Sequence, residues 1–149
     1  MWKRPATSLL VATVLLACRT PDGPHFPLPA QDVTAPIPGD LVRVVFFNTS
    51  NHALYFESGH IRIQLDGQQI PTVWLDRYVQ VYAEPGEHEL LLEHLDILMW
   101  KSRYTIQFEG PEVFLKVYNH PTSTKYKEVD ELPANFHSRF KPGRDPNDW

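Results

Sequence analysis

Apolar and polar residues alternate through the middle of this chain with the period of β-strands. Ile61, Ile63 and Leu65 are separated by Arg62 and Gln64, and Val79, Val81 and Ala83 by Gln80 and Tyr82. Successive strand residues point to opposite faces, so each set puts its apolar members on one side. Residues 41–47 follow the rule, with Val42, Val44 and Phe46 toward a core and Arg43 toward water. His88, Leu90 and Leu92 are inward against Glu87, Glu89 and Glu93. Tyr104, Ile106 and Phe108 form another such set, as do Val113, Leu115 and Val117. Residues 126–129 add a last edge strand. Residues 95–100 are a short apolar run that reads equally as strand or helical turn, because period does not separate the two at that length. No stretch carries a long amphipathic helix. The pattern predicts an all-β fold, a single antiparallel β-sandwich or small barrel.

Turn chemistry fixes two of the connections. Asp66-Gly67 lies between two strand patterns and suits a type I′ hairpin turn, which requires positive φ at both central residues. The return strand then ends with Ile70 at Pro71. Pro85-Gly86 suits a type II turn, with proline presetting the first central φ and glycine supplying a positive second one.

The ends read differently. Leu15-Leu16-Ala17-Cys18 closes a short apolar run that follows Lys3 and Arg4. It resembles the lipobox of a bacterial lipoprotein precursor. A membrane-spanning helix needs about 20 apolar residues, and this run is roughly half that, so residues 1–17 read as a signal peptide. By that resemblance, cleavage leaves Cys18 as the first residue, carrying a diacylglyceryl thioether and an N-acyl chain. Arg19 stands where an inner-membrane retention signal often has Asp, which favours the outer membrane, facing the periplasm. Residues 18–40, rich in proline, are expected to be an extended, solvated tether. Residues 41–132 form the domain. Residues 133–149 are expected to be a disordered tail, with Phe136 and Phe140 as its docking points.

Ile61-Arg62-Ile63-Gln64-Leu65-Asp66-Gly67-Gln68-Gln69-Ile70, then Tyr78 through Leu90 with Pro85-Gly86-Glu87-His88, resemble the two turn motifs of PEGA-like domains. Tyr104-Thr105-Ile106 resembles the tyrosine-bearing strand that follows. Gln68 stands where that family often has lysine. The resemblance implies a compact β-sandwich of immunoglobulin- or prealbumin-like type, of the kind carried by small bacterial lipoproteins of unknown function, and no catalytic residue set.

Charge narrows the partners. The full chain is formally −4, and removal of Lys3 and Arg4 with the leader widens the acidic excess. No basic field is expected to attract nucleic acid, and peripheral binding to anionic lipid is not favoured. Cys18 is the one cysteine, so no disulfide within the chain is available. Seven histidines are present, but no His-x-His or His-Glu-x-x-His pair, and no metal or other cofactor is expected. His88, directly after Pro85-Gly86, reads as a structural residue at the start of a strand. No nucleophile elbow or phosphate-cradling loop occurs, and Glu84, Glu87, Glu89 and Glu93 read as a solvated face. An enzyme is not expected.

One constellation stands above this background. Trp74, Tyr78, Tyr82, Phe114 and Tyr118 fall on or near the outward parity of their strands. They form a candidate face for stacking on sugar rings or receiving a partner protein. The expected function is thus that of a lipid-anchored envelope protein whose domain is a structural or protein-interaction module. A carbohydrate- or peptidoglycan-binding module is the alternative.

Overall fold

A computed structural model describes residues 33–51, 59–95 and 98–143. The leader, Cys18 and most of the tether lie outside the described residues. The described chain runs through nine strands and one short helix: β1 (Val42–Asn48), β2 (His60–Leu65), β3 (Gln68–Trp74), β4 (Arg77–Ala83), β5 (Gly86–Leu95), β6 (Met99–Phe108), β7 (Glu112–His120), β8 (Ser123–Val129), α1 (Phe136–Arg139) and β9 (Lys141–Pro142). They form an all-β sandwich of two sheets, ordered β8-β7-β1-β4-β9 and β3-β2-β5-β6. The second sheet is antiparallel. The first is mixed, because β1 runs parallel to β7 and β4 parallel to β9. Parallel neighbours need a long connection, and the chain supplies one by building the second sheet between β1 and β7.

Between the sheets lie the residues that the period-two pattern assigns inward. Val42, Val44, Phe46, Ile61, Ile63, Leu65, Val79, Val81, Leu90, Leu92, Ile106, Phe108, Val113, Leu115 and Val117 make one buried core. Leu65 pairs with Gln68, so Asp66 and Gly67 alone form the β2–β3 turn, with φ of 50° and 76°. This is the positive–positive pair of a type I′ turn. The return strand does not stop at Pro71 but continues to Trp74 through a bulge. Proline is tolerated there because β3 is the edge of its sheet. Pro85-Gly86 closes no hairpin. Ala83 ends β4 in one sheet and Gly86 begins β5 in the other, with Gly86 at φ 131° rather than the roughly 80° of a type II turn. Of residues 95–100, Leu95 ends β5 and Met99 and Trp100 begin β6, with Leu95 opposite Met99.

A second core sits on the outer face of the first sheet, where the alternation pattern puts water. Val45, Phe47 and Tyr78 pack there against Val33, Phe136 and Phe140. Phe47 meets Phe136 and Phe140 edge-on at ring-centroid distances of 5.7 and 5.2 Å, and Tyr78 meets Phe136 at 5.0 Å. Residues 133–143 of the expected tail therefore close the sandwich instead of being disordered, and the rest of it lies outside the described residues. Phe136 and Phe140 dock as expected, each adding about 1.5–3 kcal/mol by burial. β9 extends the closure, with the Gly143 amide donating to the Tyr78 carbonyl at 2.7 Å. Within the tether Val33 is not solvated either, whereas Thr34, Pro36, Pro38, Gly39 and Asp40 are exposed as expected. Arg43 is 4% exposed, because its guanidinium donates to the carbonyls of Val33 and Ala35 and, at 2.9 Å, to the Glu112 carboxylate. Its expected exposure fails because β1 is a central strand covered on both faces.

Candidate functional site

The sandwich has two poles. One gathers the start of β1, the β2–β3 turn, the β4–β5 crossing and the β6–β7 turn. The other gathers the end of β1, the β3–β4 turn, the β5–β6 hairpin tip and the start of β8, and we term it the loop pole.

The loop pole is held from inside by polar residues. Asn48 donates through its side-chain amide to the carbonyls of Gly59 and Val73 at 2.9 and 3.0 Å, while its carbonyl oxygen accepts from the Ser50 amide and hydroxyl. Ser50 Oγ in turn accepts from the Asn119 amide at 3.0 Å. Thr124 joins the facing edges of the two sheets. Its amide donates to Ser102 Oγ at 3.0 Å, its carbonyl accepts from the Tyr104 hydroxyl at 2.7 Å, and its hydroxyl bonds His94 Nδ1 at 2.6 Å. Three backbone and side-chain groups of one buried residue are thereby satisfied across the sandwich.

On this stiff base an apolar row is exposed. His60 pairs with Trp74, Leu95 pairs with Met99, and β2 lies beside β5, so the four residues end the outer face of the second sheet together. Trp74 is 43% exposed, Leu95 41%, Met99 40%, and Leu98 at the tip 62%. The His60 ring lies 5.0 Å from the Trp74 ring. Its imidazole is held below its ordinary value, first by burial and then by the nearby Arg62 cation. Large side chains left open together are unusual on a compact domain and mark a contact surface.

Charge is divided between the poles. Asp40, Asp66, Glu84, Glu87, Glu109 and Glu112 crowd the far pole. Arg62, Arg77, Lys101, Lys125, Arg139 and Lys141 surround the loop pole. Of the described acids there, Asp76 is paired with Arg139 at 3.3 Å, and Glu93, 5% exposed, with Lys101 at 2.5 Å. The net acidity of the chain conceals this division: among the described residues of the loop pole, six cations stand with two acids, and two of the six are paired with them.

The aromatic face expected from parity divides. Tyr78, Tyr82, Phe114 and Tyr118 do share the outer face of the first sheet, but that face is covered. Tyr78 and Tyr82 are each 5% exposed, and Phe114 and Tyr118 are half-buried. Phe114 packs against the second core, and the Tyr82 hydroxyl approaches the Pro36 carbonyl at 3.5 Å. Tyr78, Tyr82 and Phe114 are structural, because residues 33–36 and 136–140 lie across them, while Tyr118 has the Lys116 ammonium 5.9 Å from its ring centre. Trp74 belongs to the other sheet and is exposed. Leu95, Leu98 and Met99 were missed; the available signal was an apolar run with no polar alternation at a hairpin tip.

Glu93, read as solvated, is buried beside its lysine. Asp66, Gly67, Pro85 and Gly86 form the far pole, joined by His88. The His88 imidazole lies 2.6 Å from Asp66 Oδ2 and donates through Nε2 to the Glu84 carbonyl at 2.8 Å, stacked on Phe108. Among the described residues no three of His, Cys, Asp or Glu converge to hold a metal ion, and no helix is long and apolar enough to cross a membrane. No family model, curated protein or solved structure matches the chain.

Proposed function

We propose that this chain is a lipid-anchored protein of the bacterial cell envelope, placed at the outer membrane by Cys18, whose β-sandwich is a structural or interaction module that works by contact rather than catalysis. The Leu15-Leu16-Ala17-Cys18 motif supports the anchor, and the resemblance to PEGA-like lipoproteins agrees with it. The observation that carries the contact role is the exposed row of Trp74, Leu95, Leu98 and Met99 on a domain whose other apolar face is closed by its own chain. Burial of Tyr78 and Tyr82 favours this reading over carbohydrate binding by the aromatic face.

The test is photo-crosslinking in intact envelopes, with the reactive group placed at Leu98 and, as comparisons, at Glu109 and at Thr105. The reading expects adducts from position 98 that a Leu95→Ser, Met99→Ser chain loses. Equal adduct yield from all three positions, unaffected by those changes, would count against a contact pole.

A further inference from the structure

We propose that the loop pole docks onto an anionic bilayer surface, with Trp74, Leu95, Leu98 and Met99 entering the boundary between headgroups and acyl chains. The inference rests on the lipid-anchored reading and names what the contact surface touches. The row lies at the end of one sheet, where β5 finishes and β6 begins, a placement suited to a soft planar surface. Tryptophan and long apolar side chains are the residues that settle at that depth.

Immediately behind the row stand exposed Arg62 and Lys101, and Lys125, Arg139 and Lys141 are exposed around the rest of the pole. Among the described residues of this pole the acids are Asp76 and Glu93, paired with Arg139 and Lys101, which leaves cations in excess. Cations set just behind apolar residues match phosphate headgroups set just outside acyl chains. The acids at the far pole would face away from the same surface, so the charge division orients the domain as well as attracting it.

The tether permits this pose. Val33 is held beside Arg43, near the far pole on the outer face of the first sheet. From there to the loop pole is at most about one strand length, roughly 33 Å for ten residues. The chain from Cys18 to Val33 can span roughly 45 Å at ~3.1 Å per residue, enough to reach a bilayer beneath the loop pole.

The experiment uses the mature lipidated chain in vesicles of phosphatidylethanolamine and phosphatidylglycerol. With Cys18 acylated, Leu98→Cys supplies a unique thiol for an environment-sensitive fluorophore, and Gln107→Cys supplies one near the far pole. The proposal expects a blue-shifted label at 98 that nitroxides on the acyl chains quench several-fold more than the label at 107. Phosphatidylcholine vesicles, or Arg62→Glu with Lys101→Glu, should reduce the difference. A water-like label at 98 on protein that remains with the vesicles would overturn the docking while leaving the anchor intact. So would crosslinking of position 98 in envelopes to a protein instead of lipid. The same label on the mature Cys18→Ser chain, at high vesicle concentration, reads the pole without the anchor. Quenching there supports the docking even where mass analysis finds no lipid on Cys18, and its absence there counts against the docking.

Discussion

His88 ties the β2–β3 turn of the far pole to the β4–β5 crossing: its Nδ1 lies 2.6 Å from Asp66 Oδ2, across 22 residues of sequence. The other Asp66 oxygen accepts from the Glu89 amide at 2.8 Å. The aspartate that opens the β2–β3 turn thus also positions the start of β5. Hydrogen bonds to charged groups contribute about 1.5–3 kcal/mol, less where water competes. Asp66→Ala and His88→Ala should each destabilise, with a coupling of about 1 kcal/mol in a double-mutant cycle by urea denaturation. Additive losses would show that the pair does not act together.

Gly67 and Gly86 hold φ of 76° and 131° with open space where a Cβ would stand. Substitution therefore strains only the backbone. Gly67→Val and Gly86→Val should each cost about 1–3 kcal/mol, read as a lowered urea midpoint. An unchanged midpoint for both would contradict the turn geometry.

The covered outer face is core, and truncating it should cost what core truncation costs. Phe136→Ala should lose about 3–5 kcal/mol, and Tyr78→Ala, which meets the same ring, a comparable amount. The two losses should be less than additive because the side chains touch. A loss below about 1 kcal/mol for Phe136→Ala would mean that the tail merely rests on the sheet.

What the sequence shows and what it hides follow from this face. Parity assigns Tyr78, Tyr82, Phe114 and Tyr118 to one side correctly, because a period of two is a property of the strand itself. Whether that side meets water depends on Val33, Phe136 and Phe140, which sit in segments with no strand period and much proline and charge. Arg43 is misplaced for the same reason. Asp66-Gly67 is legible because its chemistry is local, whereas Pro85-Gly86 reads as a type II turn because nothing in the sequence says that β4 and β5 belong to different sheets. The loop pole was hidden twice. Its cations are spread from Arg62 to Lys141, and its apolar tip reads as an ambiguous run until Leu95 is seen opposite Met99.

His60 should make stability depend on acidity. In the unfolded chain it has its ordinary value of 6.5; in the fold burial, then Arg62, lowers it. The unfolded state therefore binds more protons just below 6.5. The stability from the neutral ring is present above that pH and is lost as pH falls toward the lowered folded value. His60→Gln should lose less stability than the native chain across this fall, measured by urea midpoints on either side of pH 6.5. Parallel decline in both would remove His60 as a cause.

Placement at a membrane by Cys18 is the claim on which the functional account stands, and mass analysis of the protein extracted from envelope membranes tests it most directly. The account predicts a chain that begins at Cys18 with added diacylglyceryl and N-acyl mass, and a Cys18→Ala chain that keeps residues 1–17 and gains no lipid. An unmodified Cys18 on protein recovered from its native host would contradict it.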